Sequence, residues 1–411
     1  MSPSPFRSRR VVPVLALFAA LPACARYRPA PLDAPAVAAG LAPAPAGSLA
    51  YEDAVRHAVA HNPSLAALRA RAAAVNVDPS PEPIGLEGGV DMDERGELVL
   101  SLDVLSLLGV GPRDAERAMA RARRSEAWLE HHAQARAVAA SLAEAYAVER
   151  ALRAAPEPDA PPDPSAFVAA GVEVAAAGRL AESVAADRVA VLASRDAERA
   201  ANEAMLRRLL GAAPGAPVSM VLPAAAWPPV PETPAPAALV LARDDLQRRL
   251  AAYEVADAEL RRAVAGQAPG IEVMPGLALD PSAAFGGARL RLPVNADREV
   301  VAAEAAREAA RLEAVAALAE ATEEAAAARA MLAAATAKID AATRRHVAGV
   351  DLLRTARARL DAGEGSALEL VMAARDAVMA AGDVREASVE AAKARVRAAR
   401  AAGWPSAEAV R

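Results

Sequence analysis

The histidines are the first candidates for chemistry. His57 and His61 stand four residues apart in a stretch that reads as helix, a spacing that can set two imidazoles on one metal ion. With no Cys or third His nearby in sequence, the pair reads as part of a solvated helix face. His131 and His132 are adjacent, so their side chains diverge around a helix. His346 falls in an apolar seam and suits a half-buried, hydrogen-bonded role better than a ligand's. No Ser-His-Asp set, phosphate-cradling Gly loop or isolated carboxylate pair stands out from the charged helix faces. Gly85, Gly88 and Gly89 lack the following helix start of a dinucleotide site. The sequence therefore points away from an enzyme, and it implies no cofactor and no resident metal.

Composition narrows the class further. The 411 residues are enough for two or three ordinary domains. A net charge of -5 with 24% charged residues supplies no basic field for nucleic acid. Hydrophobic residues reach 54% while aromatics are only 3%. Ala fills the gap, at about 29% of the chain. Ala is the strongest helix former and too small to fill a thick core alone, so the mixture predicts long, closely packed helices. One Cys excludes a disulfide framework and any multi-Cys metal site.

That Cys sits at an informative place. Arg7, Arg9 and Arg10 precede an apolar stretch from Val11 to Leu21, and Leu21-Pro22-Ala23-Cys24 follows. A charged start, a short apolar core and small residues at its end describe a secretory signal over residues 1–23, too short to span a bilayer as a helix. The segment resembles a bacterial lipoprotein signal, which implies a lipidated Cys24 at the mature N-terminus. Pro22 departs from the small or β-branched residue usual there, and Ala25 resembles the outer-membrane sorting pattern. Residues 24–48, rich in Pro and Ala, read as an extended tether. No later stretch reaches the roughly 18 apolar residues of a spanning helix.

The remainder reads as two repeats. The first covers residues 49–213: a helix from Tyr51 to Ala74 containing Asn62-Pro63, strand-like stretches at 84–90 and 98–102, then a hairpin over 112–211. The second covers residues 237–404: a helix from Ala237 to Ala265, strand-like stretches at 271–279 and 288–293, then a hairpin over 296–402. A Pro-rich linker, 214–236, joins them, and 405–411 form a tail. Leu318, Ala325, Leu332, Ile339, His346, Leu353 and Leu360 fall seven apart in the second hairpin. A column of small residues (Ala321, Ala328, Ala335, Ala342, Gly349 and Ala356) runs three residues behind them. A strict seven-residue repeat predicts left-handed coiled-coil packing, and the small column predicts close axes. At 1.5 Å per residue, Asp297 to Leu360 spans roughly 96 Å as one helix.

These residues carry a family resemblance. Tyr51-Glu52-Asp53-Ala54-Val55 through Asn62-Pro63-Ser64-Leu65 looks like the opening helix of a TolC-type outer-membrane efflux protein. Leu241-Ala242-Arg243-Asp244-Asp245-Leu246 opens the second half in the same way, although the family usually has Pro where Asp244 stands. Leu209-Leu210-Gly211 resembles the close of the first repeat, and Leu290-Arg291-Leu292-Pro293-Val294 the strand end entering the second long helix. Gly363 and Ser366 with Glu369-Leu370 resemble the family's tip motif, and Gly178 with Ser183-Val184 is its weaker counterpart. The resemblance covers nearly all of the mature sequence.

The resemblance implies a mainly α chain whose long antiparallel hairpins form a coiled-coil periplasmic tunnel. Four short β-strands per chain would enter a twelve-stranded barrel shared by a homotrimer in the outer membrane. The partners it implies are a periplasmic adaptor, an inner-membrane pump and outer-membrane lipid, with no nucleic acid. At the tip, Glu364, Ser366 and Glu369, with Glu182 and Ser183 of the other hairpin, would ring the periplasmic end. Pairing with Arg179 or Arg375 would hold it closed. Pro156, Pro158, Pro161, Pro162 and Pro164 predict a local loop in the first ascending helix, since each interior Pro costs about 3 kcal/mol. Spanning strands need about 9–11 residues, which only 271–279 approaches. Two other classes stay open: a non-conducting coiled-coil lipoprotein, and a periplasmic enzyme for which no constellation is present.

Overall fold

Ala-rich sequence with a seven-residue period builds helices here, and glycine ends them. The structure, a computed structural model, describes residues 47–75, 86–87, 98–99, 101–103, 113–163, 174–224, 227–232, 235–267, 270–277, 284–291 and 296–405. The signal segment, Cys24 and nearly all of the tether lie outside these, as do Pro164, Gly85, Gly88, Gly89 and Pro293.

The first half contains β1 (Ser48–Leu49), α1 (Tyr51–His61), α2 (Pro63–Val75), β2 (Leu86–Glu87), β3 (Leu98–Val99), β4 (Ser101–Asp103), α3 (Arg113–Ala154) and α4 (Val174–Leu210). The second contains β5 (Ser219–Met220), α5 (Pro236–Ala242), α6 (Asp244–Ala265), β6 (Gly270–Leu277), β7 (Ala284–Arg291), α7 (Ala296–Asp361) and α8 (Ala367–Ala401). Strand β7 begins at Ala284 rather than at the expected Ala288.

Helix α7 has 66 residues and α8 has 35. The seven-residue seam is the α7 face that turns inward: each of its thirteen positions is buried or half-buried, among neighbours that are mostly exposed. The small column sets the spacing. A Cβ on Gly349 would stand 3.4 Å from the Ala377 Cα, so α7 and α8 nearly touch backbone to backbone there. The buried face of α8 is correspondingly rich in Ala, with Val371, Val378, Val384 and Val396 between.

Three helices end in the same way. Gly211, Gly363 and Gly403 follow α4, α7 and α8 with φ of 70°, 75° and 92°. At each, the glycine N–H bonds back three residues and the next N–H bonds back five, as in Ala212 to the Arg207 carbonyl and Trp404 to the Ala399 carbonyl. That is the Schellman pattern, which needs a left-handed residue and so favours Gly. Gly211 also abuts another chain segment: a Cβ there would lie 2.5 Å from the His61 carbonyl oxygen.

The proline run ends the first ascending helix early. Helix α3 stops at Ala154 after 42 residues, and residues 156–163 continue without helix. This extended segment lies against α4, where Arg188 donates to the Pro158 carbonyl at 3.1 Å.

Five strands form one antiparallel sheet, in which β4 lies between β2 and β6, β3 also pairs with β6, and β7 lines the other edge of β6; β1 and β5 form a separate parallel pair. Leu98 pairs with Leu277 and Asp103 with Glu272, so β3 and β4 keep a single register along β6. On its other edge β6 pairs with β7 over its whole length, from Gly270 opposite Arg291 to Leu277 opposite Ala284. Leu86 opposite Leu102 places β2 beyond β4. Among the described residues, β2 and β7 are the two edges. No helix among them is long and apolar enough to cross a membrane.

The largest core lies where α1, α3 and α4 meet the end of α8. Tyr51, Leu65, Leu142, Tyr146, Leu206 and Leu210 are buried in it. Two of the three tryptophans gather on Tyr51: Trp227 lies edge-on at 4.6 Å between ring centroids, and Trp404 stacks at 5.8 Å. The Tyr51 hydroxyl donates to the Ala139 carbonyl and that of Tyr146 to the Leu49 carbonyl. Burial drives both phenol pKa values upward. A low aromatic content is thus concentrated at one joint, which ties α1 to the segment between the halves and to the end of α8.

Candidate functional site

The tip of the second hairpin is a tight turn with a capped restart. Ser366 precedes α8 in extended conformation and its hydroxyl accepts the Glu369 N–H at 3.1 Å. Such a cap contributes about 1 kcal/mol and satisfies one of the free N–H groups of the first turn. Glu369 adds favourable charge at that helix start, and its carboxylate lies 3.6 Å from Arg359 near the end of α7. Arg359 also reaches the Glu364 carbonyl at 3.4 Å. Gly363 makes the left-handed turn and Glu364 follows it, exposed.

The fold brings α4 to this turn. Ala177, Ala181 and Val184 of α4 pack with Leu353 and Ala356 of α7 and with Ala367, Leu370, Val371 and Val378 of α8. The opposite face of α4 carries Glu182 and Ser183, both exposed. Arg375 of α8 pairs with Asp187 of α4 at 3.5 Å, joining the two hairpins above the turn. Farther along, Arg385 donates to the Val191 carbonyl at 3.1 Å.

Gly178 behaves unlike Gly363. It lies inside α4 without a positive φ, and a Cβ there would meet nothing within 4 Å. The early end of α3 displaces the first hairpin's break upstream of Gly178, so this glycine is no turn.

The five histidines do not gather at one site. His57 and His61 have ring centroids 4.5 Å apart. His131 is buried beside Trp128 and His132, with both ring nitrogens lacking a hydrogen-bond partner. Burial chiefly, then the charges of His132 and Arg69, hold its pKa below the usual range. His346 is half-buried in the α7 seam. No group of three or more His, Cys, Asp or Glu able to hold a metal occurs among the described residues.

One polar node is not legible from residue type alone. Arg136 of α3 pairs with Asp244 at 2.8 Å, and its guanidinium also donates to the Ala242 and Gly403 carbonyls. One side chain therefore holds α3, the break between α5 and α6, and the end of α8. Beside it Arg243 meets Asp245 and Glu324, each at 2.7 Å. Burial opposes these charges, yet hydrogen bonding outweighs it: Arg243 is held above and Asp245 below its usual range. The sequence signal for this node was the departure at Asp244, where proline was expected.

No protein-family model matches the chain, and no curated protein matches it by sequence. Solved structures do match. The outer-membrane channel OprN is 17% identical, with a TM-score of 0.68 over 86% of this chain and 89% of that one. The open-state MtrE outer-membrane channel of Neisseria gonorrhoeae is 18% identical, with a TM-score of 0.68 over 86% and 88%. The outer-membrane protein VceC of Vibrio cholerae is 16% identical, with a TM-score of 0.65 over 86% and 96%. The chain thus has the fold of these outer-membrane proteins over 86% of its length.

Proposed function

We propose that this chain is the outer-membrane channel component of a tripartite efflux or type I export system. It is a passive conduit rather than an enzyme, a homotrimer docked to a periplasmic adaptor and an inner-membrane pump. The observation that carries this reading is the joint presence of that fold and an antiparallel sheet four strand positions wide (β2, β3 with β4 in one register, β6 and β7) with two open edges. Open edges are not tolerated in lipid, and four strands are too few to close a barrel. Three copies, each giving four strands, supply the missing pairs as a twelve-stranded barrel.

The chain is read as an internal duplication, and two features support that. Gly211 packs on His61 just before the α1–α2 break, and Gly403 packs on Ala242 just before the α5–α6 break, each approach within 2.5 Å of a Cβ the glycine lacks. Each half also places a Trp-Pro pair after its closing glycine, at Trp227 and Trp404. To this reading belong, from the sequence, repeats at 49–213 and 237–404, a 1–23 signal, lipidation of Cys24, and outer-membrane anchoring of a large periplasmic part.

The tip residues Gly363, Glu364, Ser366 and Glu369, with Gly178, Glu182 and Ser183 on α4, form the periplasmic entrance. Arg375–Asp187 and Arg359–Glu369 hold it narrow. Threefold repetition of Glu182, Glu364 and Glu369 makes a carboxylate ring that favours cations.

A second reading, a non-conducting coiled-coil lipoprotein, is favoured by the strand lengths. The longest, β6 and β7, have 8 residues against the about 9–11 of a spanning strand. Size in detergent tests the channel reading: full-length protein extracted from membranes is expected as a heat-resistant trimer, and a stable monomer would reject it.

A further inference from the structure

Helix α1 carries His57 and His61 one turn apart, and i,i+4 spacing puts them on one face. Their ring centroids are 4.5 Å apart with the planes tilted by 41°. His57 is half-buried, and its Nε2 is closed off from solvent with no hydrogen-bond partner. A buried ring nitrogen left unpaired costs free energy, so this position favours a partner that takes its lone pair or gives it a proton. Burial first and the neighbouring His61 second disfavour the proton, which leaves a neutral imidazole with a free lone pair. His61 is exposed and ends α1, so its ring can swing to meet a shared ion while its carbonyl stays against Gly211.

We propose that His57 and His61 form a two-imidazole clamp for a divalent d-block cation of the Cu²⁺, Ni²⁺ or Zn²⁺ kind, with water completing its coordination. Neutral imidazole suits these ions, whereas Mg²⁺ and Ca²⁺ prefer oxygen. No third His, Cys, Asp or Glu joins the pair among the described residues, so water is left to fill the remaining positions, unlike a structural site closed by four protein ligands. The other adjacent pair lacks this geometry: His131 and His132 have centroids 5.5 Å apart with planes at 72°, and successive helix positions diverge. Binding here is independent of whether the chain conducts.

The test is calorimetric titration of untagged, detergent-extracted full-length protein with CuCl₂ at neutral pH, together with electron paramagnetic resonance of the bound Cu²⁺. Stoichiometric binding and nitrogen superhyperfine structure from two imidazoles are expected. Loss of even an outer-sphere partner weakens metal sites about 10–100-fold, so His57→Ala or His61→Ala should weaken binding at least tenfold. His132→Ala should leave it unchanged. Equal binding by wild type, H57A and H61A would overturn the proposal, as would no binding by folded wild type. Because His61 is exposed, H61A keeps the test decisive if H57A fails to fold.

Discussion

The Arg136 guanidinium stands 2.8 Å from the Asp244 carboxylate, and both side chains are about nine-tenths shielded from solvent (11% and 9% exposed). These residues are 108 positions apart, so the pair is a tertiary clamp. Removing one partner of a buried pair strands the other charge, at a cost of about 3–5 kcal/mol. Asp244→Ala and Arg136→Ala are each expected to lower the unfolding free energy by that order. Chemical unfolding followed by circular dichroism checks this, and a loss under about 1 kcal/mol would mean the node carries little of the fold.

The two glycines named for the tips should answer oppositely to alanine. Gly363→Ala forces a side chain into the left-handed region and is expected to cost about 1 kcal/mol. Gly178→Ala fills open space inside a helix and is expected to stabilise by about 0.5–1 kcal/mol. Matched thermal melts of both variants decide it, with a destabilised G178A as the contrary result.

Arg375 and Asp187 are partly exposed, at 53% and 33%, so their pairing contributes at most about 1 kcal/mol to stability. Arg375→Ala should therefore melt nearly as wild type does. If the pair holds the entrance narrow, the same variant should pass more current in a bilayer. Unchanged current with an unchanged melt would remove the pair from gating.

Acid should weaken the fold through His131. Its folded pKa lies below the ordinary 6.5, so the unfolded chain binds the proton more readily. The stabilisation is complete above about pH 6.5 and is lost as pH falls from there through the lower folded value; His57, shifted the same way, adds to it. The melting temperature should drop between pH 7 and 5.5, and His131→Leu should flatten the drop. An identical slope in H131L would place the effect elsewhere.

How far the sequence carried depends on how local each signal is. The α7 seam was legible because a seven-residue repeat needs only one helix to state it, and the structure buries that face. The turn at Gly363 was legible because Gly and a capping Ser366 act within a few residues. Gly178, the weaker counterpart of Gly363, lies inside α4 because the prolines at 156–162 had already ended α3. The Arg136 clamp and the Tyr51–Trp227–Trp404 cluster join residues 106 to 353 positions apart, and no periodicity announces such contacts. The strand register, with Leu98 on Leu277, is non-local in the same way.

Planar-bilayer recording of the purified detergent-extracted protein tests the channel claim most directly. The account predicts stepwise, cation-preferring conductance from a trimer, with the preference reduced in Glu369→Gln. A folded trimer that inserts and passes no current would contradict it and leave the coiled-coil scaffold.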